Sequence, residues 1–199
     1  MVSLQPSDVA IALDLALGMS RGSKPTPPPK GSKSTSQTRG RPAQADSLAA
    51  LARRVGLSLG QVHNALKRLQ AARLLIEPRQ INRRALYEFV THGVRYVFPG
   101  VLGGITRGVP TAHAGPGLAE IFGDVDPVVW PSSSGTTRGE SLEPLYPAAL
   151  RLVGSNPPLY CALTLVDAIR VGRARERAVA SSQLAQLLGL QSTGTSGTA

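Results

Sequence analysis

Cysteine occurs once and histidine three times in 199 residues, and each scarcity excludes a class of protein. A lone Cys161 forbids an intrachain disulfide, and so few Cys and His cannot build a structural zinc cluster. No metal and no cofactor is expected. No run approaches the roughly 18 apolar residues of a membrane span. The first basic residue, Arg21, follows Asp8 and Asp14, the reverse of a secretory signal. A cytoplasmic protein with no membrane partner is the expectation. Glycine-loop signatures are also missing. The Gly31-Ser32-Lys33 run has no Gly-Lys pair, as a phosphate-binding loop requires, and Gly103-Gly104 opens no helix. Cys161 sits among Leu159, Leu163 and Val166 with no histidine near it in sequence, so it reads as a packed thiol and not a nucleophile. No enzyme activity is expected.

Acidic residues are scarce in one half only. Residues 1–99 hold 15 Lys/Arg against 5 Asp/Glu, whereas residues 100–199 hold 7 of each, so the whole net charge of +10 belongs to the first half. Such an asymmetry produces a local field that attracts phosphate backbones or anionic membrane surfaces. A solvated basic face would give the same count, so the charge has to coincide with a recognition element.

That element lies between residues 46 and 75. Asp46 or Ser47 can cap a helix running to Val55, with Leu48, Leu51, Ala52 and Val55 on one face and Gly56 at the left-handed terminating position. Ser58 and Gln61 then form the two ends of a capping box that opens a second helix, with Val62, Ala65, Leu66 and Leu69 inward. Before this pair, residues 8–18 carry helical spacing. After it, Ile76-Glu77-Pro78-Arg79-Gln80-Ile81 suits a clipped hairpin, and Asn82 can cap a helix through about His92. Val94, Tyr96 and Phe98 alternate as in a strand.

Leu48 to Leu69 resembles the bacterial helix-turn-helix. Ala52 takes the small position, Gly56 the turn, and Leu51, Val55, Leu57 and Val62 the locking positions. With the hairpin behind it and a helix ahead, the chain over residues 5–98 resembles a winged helix-turn-helix regulator of the MarR-like kind. The resemblance implies sequence-specific binding of double-stranded DNA by a dimeric transcriptional repressor. The second helix presents Gln61, Asn64 and Arg68 on one strip, flanked by His63, and these side-chain types read base edges. Arg53, Arg54, Ser58, Lys67 and Arg73 suit phosphates. Two other readings stand beside it. One is an antitoxin-like protein that binds an operon-encoded partner and autoregulates through the motif. The other is a winged helix that binds protein and not DNA.

The remaining chain divides by composition. Residues 20–45 lack large apolar side chains and read as a disordered basic insert. Residues 99–147 are Gly/Pro-rich and read as irregular. Residues 148–190 read as a C-terminal helical region, opened by Asn156-Pro157-Pro158 and broken near Gly172, and residues 191–199 as a flexible tail. Leu159, Leu163, Val166 and Ile169 form an apolar stripe offered to a homodimer or partner interface. The expected fold class is therefore mainly α with a short β wing: a winged helix-turn-helix domain, an irregular segment and C-terminal helices.

Overall fold

The computed structural model describes residues 3–20, 47–77 and 79–190. The expected basic insert, beyond Ser20, and the expected tail lie outside the described residues. The protein is mainly helical with few strands.

Helix α1 spans Pro6–Ser20 and starts two residues earlier than its apolar spacing indicates. Its face from Val9 to Leu13 is buried. Helix α2, Leu48–Val55, is capped by the Ser47 side chain, which accepts from the Ala50 N–H, and ends at Gly56 with φ of 70°. A side chain there would be strained in that conformation and would press on Ala148. Helix α3, Leu59–Ala71, has the expected Ser58/Gln61 capping box. Strands β1, Leu75–Glu77, and β2, Gln80–Ile81, pair antiparallel as the clipped hairpin. Asn82 caps α4, Arg83–Glu88, by accepting from the Ala85 N–H.

The strand expected at residues 94–98 is not one. Helix α4 runs on through a π turn, Phe89–Gly93, into α5, Val94–Val97. The alternation is real in the sequence, but only Val94 of that set is fully buried, whereas Tyr96 faces solvent. A helix satisfies the backbone internally, which an unpaired strand would not.

Nor is the 99–147 segment irregular. Strands β3, Leu102–Thr111, β4, Val128–Pro131, and β5, Thr137–Leu142, close into a small barrel. In it β3 lies antiparallel to both others, and β4 lies parallel to β5. The glycines that make the segment look irregular allow close approach. A Cβ on Gly108 would collide with the Trp130 carbonyl, and one on Gly135 with the Gly108 carbonyl. The short helix α6, Ala119–Phe122, crosses between β3 and β4.

Helix α7, Leu152–Ser155, leads to α8, Pro157–Val171, capped by Asn156, and the break at Gly172 separates α8 from α9, Ala174–Leu187. Every residue of α8 from Leu159 to Ile169 except Cys161 is buried. A helix apolar on all sides belongs in the middle of a fold. One hydrophobic cluster accordingly runs from Val9 to Leu188, with α1, the barrel and α9 all against α8. The core does not divide at residue 98 or 147. Leu159, Leu163, Val166 and Ile169 are intramolecular core, at most 1% exposed, which corrects their assignment to a dimer or partner interface.

Polar groups tie the layers together. The fully buried Asp167 accepts from Thr111 Oγ1 at 2.8 Å, Trp130 Nε1 at 2.6 Å and Arg170 Nη1 at 2.6 Å. Burial pushes its carboxyl above the ordinary carboxylate range, against the pull of Arg170 and the two neutral donors. Tyr146 Oη donates to the Val55 carbonyl at 2.9 Å, and Tyr160 Oη to the Pro110 carbonyl at 2.6 Å. Burial raises both phenols, Tyr160 to about 12.

A phenol whose pKa is higher folded than unfolded contributes stability that is present below the unfolded value, about 10, and lost as pH rises through the folded value. At pH of about 10.5 neither phenol should be ionised in the folded protein. The folded variants Tyr160→Phe and Tyr146→Phe should therefore show the same phenolate absorbance there as the parent chain. A drop in either variant would contradict this placement.

Candidate nucleic-acid interface

The face formed by α2, α3 and the hairpin is set by local chemistry. Its caps and the Gly56 turn orient α3 across α2, and Val55, Val62, Ala65 and Leu69 lock the pair from the inside. Outward, His63, Asn64, Lys67 and Gln70 are all exposed on α3. His63, Asn64 and Lys67 stand at i, i+1 and i+4, so they share one side of the helix.

Two expected members of the strip have other work. Arg68 turns to the body of the protein, where Nε and Nη2 reach the Asp8 carboxylate at 2.7 and 2.6 Å. Asp8 is fully buried and the Arg68 side chain is only 19% exposed. The carboxylate holds the guanidinium pKa above its ordinary value, chiefly through the hydrogen bond. Arg68 is thus a bridge between α3 and α1, which corrects its assignment as a base reader. Gln61 is exposed, but its Oε1 accepts from the Ser58 N–H at 2.9 Å, while Ser58 Oγ accepts from the Gln61 N–H at 3.2 Å. Both side chains serve the cap. A contact from either to base or phosphate would compete with it.

The phosphate set also divides. Arg54 pairs with Asp14, Nε and Nη2 each 2.8 Å from Oδ2, and Asn156 Nδ2 donates to the other oxygen of Asp14 at 2.9 Å. Arg54 therefore anchors α2 to α1 and α8. Arg53, Lys67 and Arg73 are exposed and take part in no ion pair among the described residues.

The hairpin adds a cation that residue-by-residue reading of the helix missed. Arg79 stands at the hairpin tip with φ of 73°, and Arg73 just after α3 has φ of 57°. Left-handed backbone costs a non-glycine residue roughly 1–2 kcal/mol. Arginine at two such positions keeps charge where glycine would relax the chain. The Pro78-Arg79 pair between two apolar runs was the available signal.

Compared with known proteins, the chain matches no family model, no curated protein and no solved structure. The face has to be judged on its own geometry. From Ser47 to Ile76 the sequence contains no Asp or Glu at all, whereas Arg53, Arg54, Lys67, Arg68 and Arg73 fall within it. After Asp8 and Asp14 have neutralised Arg68 and Arg54 from below, Arg53, Lys67 and Arg73 remain, together with Arg79 on the hairpin. The α2–α3 surface is cationic, polar at its centre and free of carboxylates, since Asp8 and Asp14 lie beneath it, while the hairpin carries the exposed Glu77 as well as Arg79.

Other chemistry is weakly represented. Among the described residues no group of three His, Cys, Asp or Glu side chains is placed to hold a metal ion. Cys161 is half-buried, its Sγ donating to the Pro116 carbonyl at 3.5 Å, and burial raises its thiol pKa. That is opposite to nucleophile activation. No described helix is long and apolar enough to cross a membrane.

Proposed function

We propose that the protein binds double-stranded DNA through a winged helix-turn-helix built from α1 to β2 and regulates transcription as a repressor. The carboxylate-free face of α3 carries the proposal. Lys and Arg contribute sequence-independent affinity by neutralising phosphates, whereas Asn and His reach base edges. Here α3 lies in the major groove with His63 and Asn64 against the bases. Lys67, Arg53 and Arg73 flank it on the phosphates, and Arg79 carries the hairpin to the adjacent backbone. Arg68 stays with Asp8 and sets the tilt of α3 on α1.

Binding of the upstream operator region should weaken steeply with salt, with a slope of log K against log salt near −0.9 for each phosphate neutralised. Lys67→Ala should reduce that slope by about 1 and weaken all sequences alike. Asn64→Ala and His63→Ala should instead lose discrimination between operator and random duplex, by roughly 1–3 kcal/mol each. Fluorescence anisotropy over a salt series separates the two classes. Salt-independent binding, or an equal loss on both duplexes from all three variants, overturns the assignment.

A further inference from the structure

Of the nine large apolar side chains that are strongly exposed among the described residues, five fall in one stretch of ten residues. They are Tyr96 at 75%, Val97 at 50%, Val101 at 78%, Leu102 at 41% and Ile105 at 67%. Scattered apolar side chains on a surface are ordinary, but a contiguous set marks an interaction site. No residue from Tyr96 to Thr106 is charged.

The same stretch contains an open strand edge. Strand β5 covers one side of β3 from Leu102 to Gly108. On the other side β4 pairs only from Gly108 to Thr111, and a single bond from the Ser132 N–H to the Arg107 carbonyl at 3.1 Å ends the ladder. Among the described residues, Leu102 to Thr106 therefore has no strand beside it on that side. Antiparallel pairing directs alternate N–H and C=O groups to each side, so this edge presents unused donors and acceptors. Sheet edges of single molecules are normally blunted by lysine, proline or an inward charge. None occurs between Val101 and Thr106. Leu102 and Ile105, on either side of a register shift, both line one groove of about 560 Å³, whose walls combine Val125 and Val171 with the charged Arg138, Glu140, Arg173 and Glu176.

We infer that the open edge of β3 is where a second copy of this chain docks, the two β3 strands pairing antiparallel about a two-fold axis between Gly103 and Gly104. The occupant follows from charge and symmetry. An uncharged edge meets its own copy without like-charge repulsion, and the two-fold operation makes an edge its own antiparallel partner. In this register Leu102 lies across from Ile105 of the second copy, and Ile105 across from its Leu102. The pairing ends at Thr106, opposite Val101, because the Arg107 carbonyl already accepts from the Ser132 N–H. A Cβ at Gly104 would meet nothing within 4 Å, which leaves room for the second backbone. The inference does not depend on DNA binding, and either can fail alone.

The test is sedimentation equilibrium of the full chain over a wide concentration range, without DNA. The parent chain should dimerise, and Val101→Lys with Ile105→Lys should weaken the dimer by at least about tenfold, since charge on an edge opposes pairing. Circular dichroism should be unchanged, because both positions are exposed, and the melting temperature should match that of the parent chain diluted until it is monomeric. The control Ile121→Lys, exposed but away from β3, should leave the dimer intact. As a second measurement, Gly104→Cys should give a disulfide-linked dimer on mild oxidation, whereas Ile121→Cys should give none above the background of Cys161. A parent chain that stays monomeric throughout overturns the inference, and this includes the case in which a different protein covers the edge. So does a dimer that survives the two lysines, or equal crosslinking at 104 and 121. Should the lysine variant misfold, the crosslinking comparison alone decides.

Discussion

Replacing Leu163 and Val166 together by aspartate is expected to unfold the whole chain. Both side chains are at most 1% exposed on a helix that touches α1, α9 and the barrel. Losing their burial costs on the order of 1.5–3 kcal/mol each. Each new carboxylate would add several kcal/mol more if it stayed ionised in the core with no partner. A domain is stable by roughly 5–15 kcal/mol in total, so the double change exceeds or exhausts it. Far-ultraviolet circular dichroism and a thermal melt measure this directly. A cooperative melt with native helix content would show that α8 is not central and that the stripe faces outward.

The second large effect is expected at Arg68. Truncation to alanine leaves the Asp8 carboxylate, wholly buried, without its bidentate partner, and breaking such a pair costs about 3–5 kcal/mol. Asp8→Ala should cost less, because the Arg68 guanidinium is partly exposed and can turn to water. The double variant should recover much of the loss relative to Arg68→Ala, since no uncompensated charge stays behind. Urea denaturation of the three variants yields the cycle. If Arg68→Ala were as stable as the parent but lost operator discrimination, Arg68 would be a base reader and its pairing with Asp8 incidental. Below its melting temperature, the expected variant keeps its preference for operator.

The contrast between Arg68 and Asn64 separates what local sequence can determine from what it cannot. Ser47, Gly56, the Ser58/Gln61 box, Asn82, Asn156 and the Gly172 break all act within three or four residues of themselves. Their partners are in the same window of sequence, and the structure has each of them in its expected role. The hairpin is legible for the same reason. Apolar spacing likewise determined which faces of α2 and α3 seek cover, because side-chain periodicity is a property of the helix alone.

What covers those faces, and what each polar side chain meets, was decided by the tertiary fold. Asp8 lies 60 positions before Arg68, and nothing in the spacing around either residue singles out the pair. The stripe on α8 has the same period whether a second subunit or the chain's own barrel lies against it. In residues 99–147 the glycines allow the β3–β4–β5 barrel to close, yet a glycine needed for close approach and one in an idle loop are identical as letters. At residues 94–98 a period of two was present, but no strand stood beside it, and the backbone hydrogen bonds went to a helix instead. Spacing along a chain determines local caps, turns and faces, since these depend on a few neighbouring dihedrals. Pairing between parts of the chain far apart in sequence depends on the packing of the whole core, and for Arg68, α8 and β3 only the assembled structure could decide it.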